Sequence, residues 1–196
     1  MKGELKGYFT IECRDRSGQL LWKHRQKSKS YVIAYFRNLE AISITANASG
    51  TCQDTTNNAR IIKGGVASTH GQILAAAGVT LYGMVVGTGI GAVAPTNYQL
   101  GAIINHGGGA GQLNYGACSV GGAVATPTNS QVTVVRSFTN SSGAAITINE
   151  IGIYAWCYDD TTTSRYFCFV RDLVVPGRVI NNLATATATY TLAATA

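Results

Sequence analysis

From Gly64 to Val135 the chain runs for 72 residues without an Asp, Glu, Lys or Arg. That is more than a third of its 196 residues, and it restricts both fold and chemistry. Acid–base catalysis, metal binding and charge stabilisation normally draw on a carboxylate or a fixed cation. Within this run the titratable side chains are His70, His106, Cys118 and tyrosines. An uncharged surface of such length is also poorly suited to an isolated domain, because interspersed charge maintains solubility. The run is therefore expected to be covered, by a second layer of its own chain, by neighbouring subunits or by a larger assembly.

The rest of the composition fits a folded chain. Charged residues make up 12%, about half the usual share, while the apolar content of 46% is ordinary. The length suits one well-filled domain, or one with an N-terminal appendage. No stretch approaches the roughly 18 apolar residues of a membrane helix, so no membrane partner is expected. The opening Met1-Lys2-Gly3-Glu4 lacks the apolar core of a secretion signal, which points to synthesis in a cytoplasm. Cys13, Cys52, Cys118, Cys157 and Cys168 are odd in number and scattered, favouring buried free thiols over disulfides or a zinc site.

Charge is concentrated at the N-terminus. Nine of the fifteen cations fall in the first 40 residues, against four acids, and the net charge is +6. Lys23, Arg25, Lys27 and Lys29 form a possible basic contact, with Tyr31, Tyr35 and Phe36 close behind. A nucleic-acid patch is one reading and an acidic protein partner another. The plainer reading is a solvated hairpin end leading into a helix whose aromatic residues face the core, and on it nucleic acid is not expected.

Along the chain, Tyr8 to Cys13 alternates, Asp15-Arg16-Ser17-Gly18 is turn chemistry, and Gln19 to Lys23 returns as the second arm of a β-hairpin. Val32, Tyr35, Phe36, Leu39 and Ile42 recur at three- and four-residue spacing, predicting a helix over about Ser30–Ser43 with Ser30 as N-cap. Asn47 to Asn58 reads as a polar loop. Strands are expected at Ala59–Val66, Ile73–Ala76, Val79–Val86, Gln131–Phe138, Ala144–Trp156, Arg165–Val174 and Ala184–Leu192. The last alternates strictly, with every threonine on one face. The fold class is therefore mainly β, an antiparallel sandwich or barrel-like domain with an N-terminal hairpin and one helix. Residues 1–46 hold the hairpin and helix and 59–196 the sandwich, expected as one compact unit.

The candidate chemistry is thin. Gly87-Thr88-Gly89-Ile90-Gly91-Ala92 follows a strand and has the letters of a dinucleotide fingerprint. That motif must open a helix, whereas Val93-Ala94-Pro95-Thr96 is extended, and no acid lies about 20 residues on. His106-Gly107-Gly108-Gly109 resembles an esterase oxyanion loop, yet no Gly-x-Ser-x-Gly elbow or later histidine exists. A Cys118/His106 nucleophile and base pair is possible on residue type alone. Asp159-Asp160 followed by three threonines lacks the acid spacing of a calcium loop and reads as a turn. The expectation is no enzyme activity, no cofactor and no metal.

A longer series is more specific. Val85-Val86-Gly87-Thr88-Gly89 leads to Ala94-Pro95-Thr96-Asn97-Tyr98-Gln99-Leu100, Ile104-Asn105-His106-Gly107 and Gly111-Gln112-Leu113-Asn114-Tyr115-Gly116. Then come Arg136-Ser137-Phe138-Thr139-Asn140-Ser141-Ser142-Gly143, Ile148-Asn149-Glu150-Ile151-Gly152-Ile153-Tyr154 and Tyr166 to Asp172. The series resembles small virion proteins of tailed bacteriophages. More distantly it is similar to attachment domains of phage tail fibres, in which a GxG…PT…L segment precedes an EIGLY strand. The opening hairpin with Trp22 is likewise similar to the start of many phage minor structural proteins. The likeness covers about residues 5–40 and 80–175. It implies a non-enzymatic virion component, assembled in a host cytoplasm, that self-associates as a trimer or ring and docks on a tail, neck or fibre platform beside other virion proteins. Capsid decoration is the alternative.

In that setting Asn140 and Gly143 are available for positive φ in a tight turn. Glu150, among Ile148, Ile151 and Ile153, must pair with a cation or accept backbone N–H bonds, since leaving it bare would cost several kcal/mol. Arg136 and Arg171 are the candidate partners, which makes Glu150 a structural lock.

Overall fold

The computed structural model describes residues 4–28, 30–65, 71–126 and 129–195. Strands β1 (Glu4–Arg14) and β2 (Leu20–Lys27) form the hairpin that the alternation predicts, and one side chain builds its turn. Asp15 Oδ1 accepts from Ser17 N, Ser17 Oγ and Gln19 N at 2.9, 2.6 and 2.9 Å, and Gly18 turns left-handed at φ 86°. The device recurs at Asp54, which accepts from Thr56 N, Thr56 Oγ1 and Asn58 N, with Asn57 at φ 66°. It recurs again at Asp159, which accepts from Thr161 N, Thr161 Oγ1 and Thr163 N, with Thr162 at φ 63°. Asn140 makes a shorter version with Ser142, and Gly143 takes φ 85°. A short polar side chain that mimics a backbone turn, followed three residues on by a left-handed residue, thus reverses the chain four times.

These turns link a seven-stranded antiparallel sheet in the order β2–β1–β12–β9–β6, where β12 is Thr185–Thr195, β9 is Asn129–Thr139 and β6 is Asn114–Tyr115. Short strands β7 (Ser119–Val120) and β8 (Val124–Thr126) also pair with β9. A second sheet runs β11–β10–β5, made of Ser164–Ile180, Ile146–Tyr158 and Gly83–Gly87. A two-stranded pair, β3 (Cys52–Gln53) and β4 (Ala59–Arg60), completes the sheets. The fold is mainly β, antiparallel and sandwich-like, with one helix, as the strand spacing predicts. The N-terminal hairpin is woven into the large sheet, because all eleven residues of β1 pair with β12.

The layers meet through residues of one parity. Phe9 and Ile11 of β1, Ala186, Ala188 and Tyr190 of β12, and Phe138 of β9 are buried, while Thr185, Thr187 and Thr189 point the other way and stay half-buried. The central strands of the second sheet are buried on both faces. Residues 150–155 and 167–172 are continuously inaccessible, because loops of the uncharged run cover the face that the large sheet does not. Both flanks of the sandwich are closed by side chains. On one, Trp22 Nε1 donates to Val179 O at 2.7 Å, and Gln26 donates to Leu173 O and accepts from Val175 N. On the other, Arg136 and Tyr115 reach from β9 and β6 to the backbone of β5. Edge strands that would offer unpaired backbone groups are thereby satisfied internally.

Four expectations need correction. The helix α1 covers Ile33–Ile44, not 30–43, and Val32 precedes it without a side-chain cap. Ser30 cannot cap it, because Ser30 O accepts Arg171 N and Tyr31 bridges Val170, which keeps the chain extended to Val32. The helix turns only part of its apolar pattern inward: Val32 is buried and Tyr35 packs against the core. Ala34, Asn38 and Ala41 are buried, whereas Phe36, Leu39 and Ile42 are exposed. At its C-terminal end the helix is approached closely by backbone: a Cβ at Gly64 would lie 2.1 Å from the carbonyl oxygens of Ala41 and Ala46. Finally, Ile73–Ala76 and Val79–Gly83 are not strands beyond the first residue of β5, since the carbonyls of Ala76, Val79 and Tyr82 bond to Arg136 in place of a neighbouring strand. The expected strand at Ala59–Val66 shrinks to Ala59–Arg60 and a bridge at Ile62, and Val66 lies outside the described residues.

Candidate functional site

The glycine run after β5 does bind an anion, and the anion is internal. Glu150 Oε1 accepts from Gly89 N at 3.1 Å and Ala102 N at 2.8 Å, and Oε2 from Gly101 N at 2.9 Å. A Cβ at Gly87 or Gly89 would come within 2.5 and 2.4 Å of that carboxylate, so the Gly-x-Gly exists to admit it. Arg171 Nε completes the set at 3.0 Å, and both side chains are almost fully buried. Its remaining nitrogens donate to Ala92 O, Gly91 O and Asn97 Oδ1. Backbone N–H groups here do for a carboxylate what they do elsewhere for phosphate. The N–H groups of Gly89, Gly101 and Ala102 are thus occupied by Glu150.

Arg136 is not the partner of Glu150. It lies 1% exposed and spends its guanidinium on five carbonyl oxygens, those of Gly116, Tyr82, Met84, Ala76 and Val79, at 2.6–3.4 Å. The ring of Tyr115 sits 4.9 Å from its carbon, a cation–π contact. Burial pulls this guanidinium below its ordinary value, opposed by the nearby Cys118, Tyr115 and Tyr82. Glu150, Arg171 and Arg136 flank the uncharged run in sequence and pin it in space.

Asn140 is fully buried and is not left-handed, contrary to expectation; only Gly143 is. Its Nδ2 donates to Ala144 O and Ile180 O at 2.7 and 2.8 Å, tying the β9–β10 turn to the end of β11. That work requires an ordinary φ and a carboxamide.

The nucleophile and base reading draws no support from His106 or from Cys118. His106 Nδ1 accepts from Tyr115 N at 3.1 Å, so the neutral ring carries its proton on Nε2 and has no free lone pair to deprotonate a thiol. Burial raises the Cys118 thiol above its ordinary value, the opposite of an activated nucleophile. All five cysteines are buried and free. Asp159 is buried and serves its turn. Burial alone would raise its carboxyl, but bonds from Thr161, Arg165 and Thr163 outweigh that and bring it to about 2. His70 lies outside the described residues. Among the described residues no group of three His, Cys, Asp or Glu is placed to hold a metal ion, and no helix is long and apolar enough to cross a membrane.

Two surface features remain. Lys23, Arg25 and Lys27 share the outer face of β2, an edge of the large sheet, with Lys23 on Glu12 at 2.7 Å and Arg25 over the Tyr8 ring at 4.2 Å. Lys29 lies outside the described residues. Among the described residues folding buries four carboxylates, Asp54, Glu150, Asp159 and Asp172, and two cations, Arg136 and Arg171, while the half-exposed Arg60 and Arg165 pair with Asp54 and Asp159. The second feature is the exposed side of α1. Neither is legible from composition alone, although the three-residue spacing of Ile33, Phe36, Leu39 and Ile42 signals a ridge. No protein-family model, no curated protein and no solved structure matches the chain.

Proposed function

We propose that this chain is a non-enzymatic structural component of a tailed-phage virion, which self-associates and docks to a tail, neck or fibre platform. The observation that carries the reading is where the chemistry goes. The interior acid and cations that could serve catalysis are committed to holding loops and strand edges, and the five thiols are buried. Meanwhile α1 turns apolar side chains outward. The motif series from Val85 to Asp172 supports phage origin, and Glu150 and its glycines form its central part. Mass measurement in solution followed by electron microscopy tests the proposal. Rings or defined oligomers are expected, and a chain that stays monomeric and shows esterase or protease turnover would end it. Copy number per virion separates a tail or neck position, in multiples of three, six or twelve, from capsid decoration in the hundreds.

A second reading, nucleic-acid binding through Lys23, Arg25 and Lys27, is favoured by the net positive charge. It predicts affinity that falls steeply with salt. Absence of any shift with DNA at about 50 mM salt would remove it.

A further inference from the structure

Helix α1 buries Ala34, Asn38 and Ala41, and the carboxamide of Asn38 is only half used. Its Oδ1 accepts from Cys157 Sγ at 3.6 Å, whereas its Nδ2 donates to no described residue. Asn38 is 5% exposed and lines a cleft of about 220 Å³ between the two sheets. Val134 and Leu192 of the large sheet form one wall, and Ile153 and Phe169 of the second sheet form another. Tyr35 and Asn38 of α1 close a third side. Gly71, at φ 69°, keeps Nδ2 open, since a Cβ there would lie 3.0 Å from it.

Such a space is costly when empty. Protein interiors keep few voids larger than a water molecule, because the lining of a void forfeits its contacts. An amide N–H group without an acceptor adds a second cost. Water answers neither well, since it needs two to four polar partners and these walls are mostly apolar. One occupant with an apolar body and a single acceptor removes both costs.

Size and lining select its chemistry. An apolar cavity of about 150 Å³ admits benzene, so this cleft holds roughly nine non-hydrogen atoms, too few for a strand or helix of a protein partner. The rings of Tyr31 and Tyr35 lie 4.9 Å apart, and Tyr35 meets Phe169 edge-on at 5.8 Å. Three aromatic rings thus offer faces and edges to a fourth. Among the described residues no charged side chain lines the cleft, and buried Asp172 acts coulombically on both Tyr31 and Tyr190 beside it. That disfavours an anion.

We propose that this cleft binds a small neutral aromatic molecule carrying one hydrogen-bond acceptor. Its ring lies among Tyr31, Tyr35 and Phe169, and its acceptor meets Asn38 Nδ2. Tyr35, Ile73, Val132 and Leu192 are half-exposed and form the mouth. The site does not depend on the virion reading or on self-association.

Ligand-detected NMR titration of the full chain with three small molecules tests the proposal. Acetophenone has ring and acceptor, toluene lacks the acceptor, and benzoate carries it as an anion. Acetophenone is expected to bind with a Kd of about 1 mM or tighter, and benzoate at least about 10-fold more weakly. Asn38→Leu should weaken acetophenone by up to about 10-fold and leave toluene unchanged. Val132→Phe, which fills the mouth, should abolish binding of both, and circular dichroism checks folding of each variant. Benzoate binding as tightly as acetophenone, or Asn38→Leu weakening toluene equally, overturns the proposal. So does acetophenone binding that survives Val132→Phe. No binding of acetophenone to the wild type at about 5 mM also overturns it, and leaves the cleft to an inserted side chain of another protein.

Discussion

Arg171 and Arg136 are both buried arginines that fasten uncharged loops, yet their partners differ in kind. Arg171 faces a carboxylate, and Glu150 in turn accepts three backbone N–H bonds from the glycine-rich loops. Arg136 faces carbonyl oxygens, five of them, and an aromatic ring. In the first case charge is neutralised by charge, and in the second it is spread over backbone dipoles. The contrast shows how a long run without charge can still be held. Its own peptide groups supply the complementary partial charges, and only the ions are imported from flanking strands.

The sharpest way to break that contrast is to delete Arg136. Arg136→Met leaves five buried carbonyls without donors, each worth about 1–3 kcal/mol when orphaned, so a loss of at least about 4 kcal/mol is expected in urea unfolding. In a chain of this size that lowers the melting temperature by roughly 10 °C or more. Arg136→Lys should recover little, because a point ammonium with three donors cannot span five acceptors. A loss no larger than that of a surface substitution would mean the carbonyl cluster is not a keystone.

Arg171→Met is expected to cost about 3–5 kcal/mol, since it strands Glu150 as a buried unpaired charge. Adding Glu150→Gln should return part of that loss, because the buried charge is gone and the carboxamide oxygen still accepts from Gly89 N and Ala102 N, leaving only Gly101 N without its acceptor. No single partner substitution can rescue Arg136. Thermal melts of the two single mutants and the double mutant test the distinction, and failure of the rescue would show that Glu150 does more than balance Arg171.

A smaller effect separates two copies of one turn. Asp159 and Asp15 make the same three bonds, but Asp159 is buried and also held by Arg165 at 2.9 Å. With a folded value near 2 against an ordinary 3.8, the Asp159 carboxylate contributes stability above the ordinary value. That contribution is lost as pH falls toward 2. Asp159→Asn should flatten this part of the stability profile and lower the melting temperature at neutral pH. Asp15→Asn should change both less. Equal effects would show that burial and the arginine add nothing to the turn.

The least perturbing measurement is thiol labelling of the native protein at pH 8. Cys118 should stay unmodified, and all five cysteines should react only after denaturation. Rapid labelling of Cys118 would reopen a nucleophilic role.

Much of the architecture is legible from periodicity. The hairpin, β9 and β12 follow from alternation, because each lies in an extended antiparallel pairing where period two holds over many residues, whereas β10 and β11, buried on both faces, follow from apolar runs bounded by turn residues. The segments that fail are those whose backbone bonds go to side chains, as around Ala76 and Val79, since no local pattern announces a distant arginine. The Asp turns are legible: Asp15 and Asp159 read as turns from the sequence, and only Asp54 falls in a segment that reads as a polar loop. Asp54-x-Thr56, Asp159-x-Thr161 and Asp15-x-Ser17 share one spacing, with Arg60 and Arg165 six residues after the two buried acids. At Glu150 the need for a partner could be read from its apolar strand, but not the identity of that partner.

The sequence by itself determined that extended strands dominate, that a helix follows the hairpin, and that residues 64–135 must borrow their charges from elsewhere. Those properties reside in local pattern and composition. Only the tertiary structure decided that Arg171 and not Arg136 meets Glu150, because both follow it or precede it on long strands and packing alone sets the distance. It also decided which way α1 faces. A three-residue ridge specifies an apolar surface without saying what covers it, and tertiary packing puts Ala34, Asn38 and Ala41 inside, leaving Phe36, Leu39 and Ile42 outside.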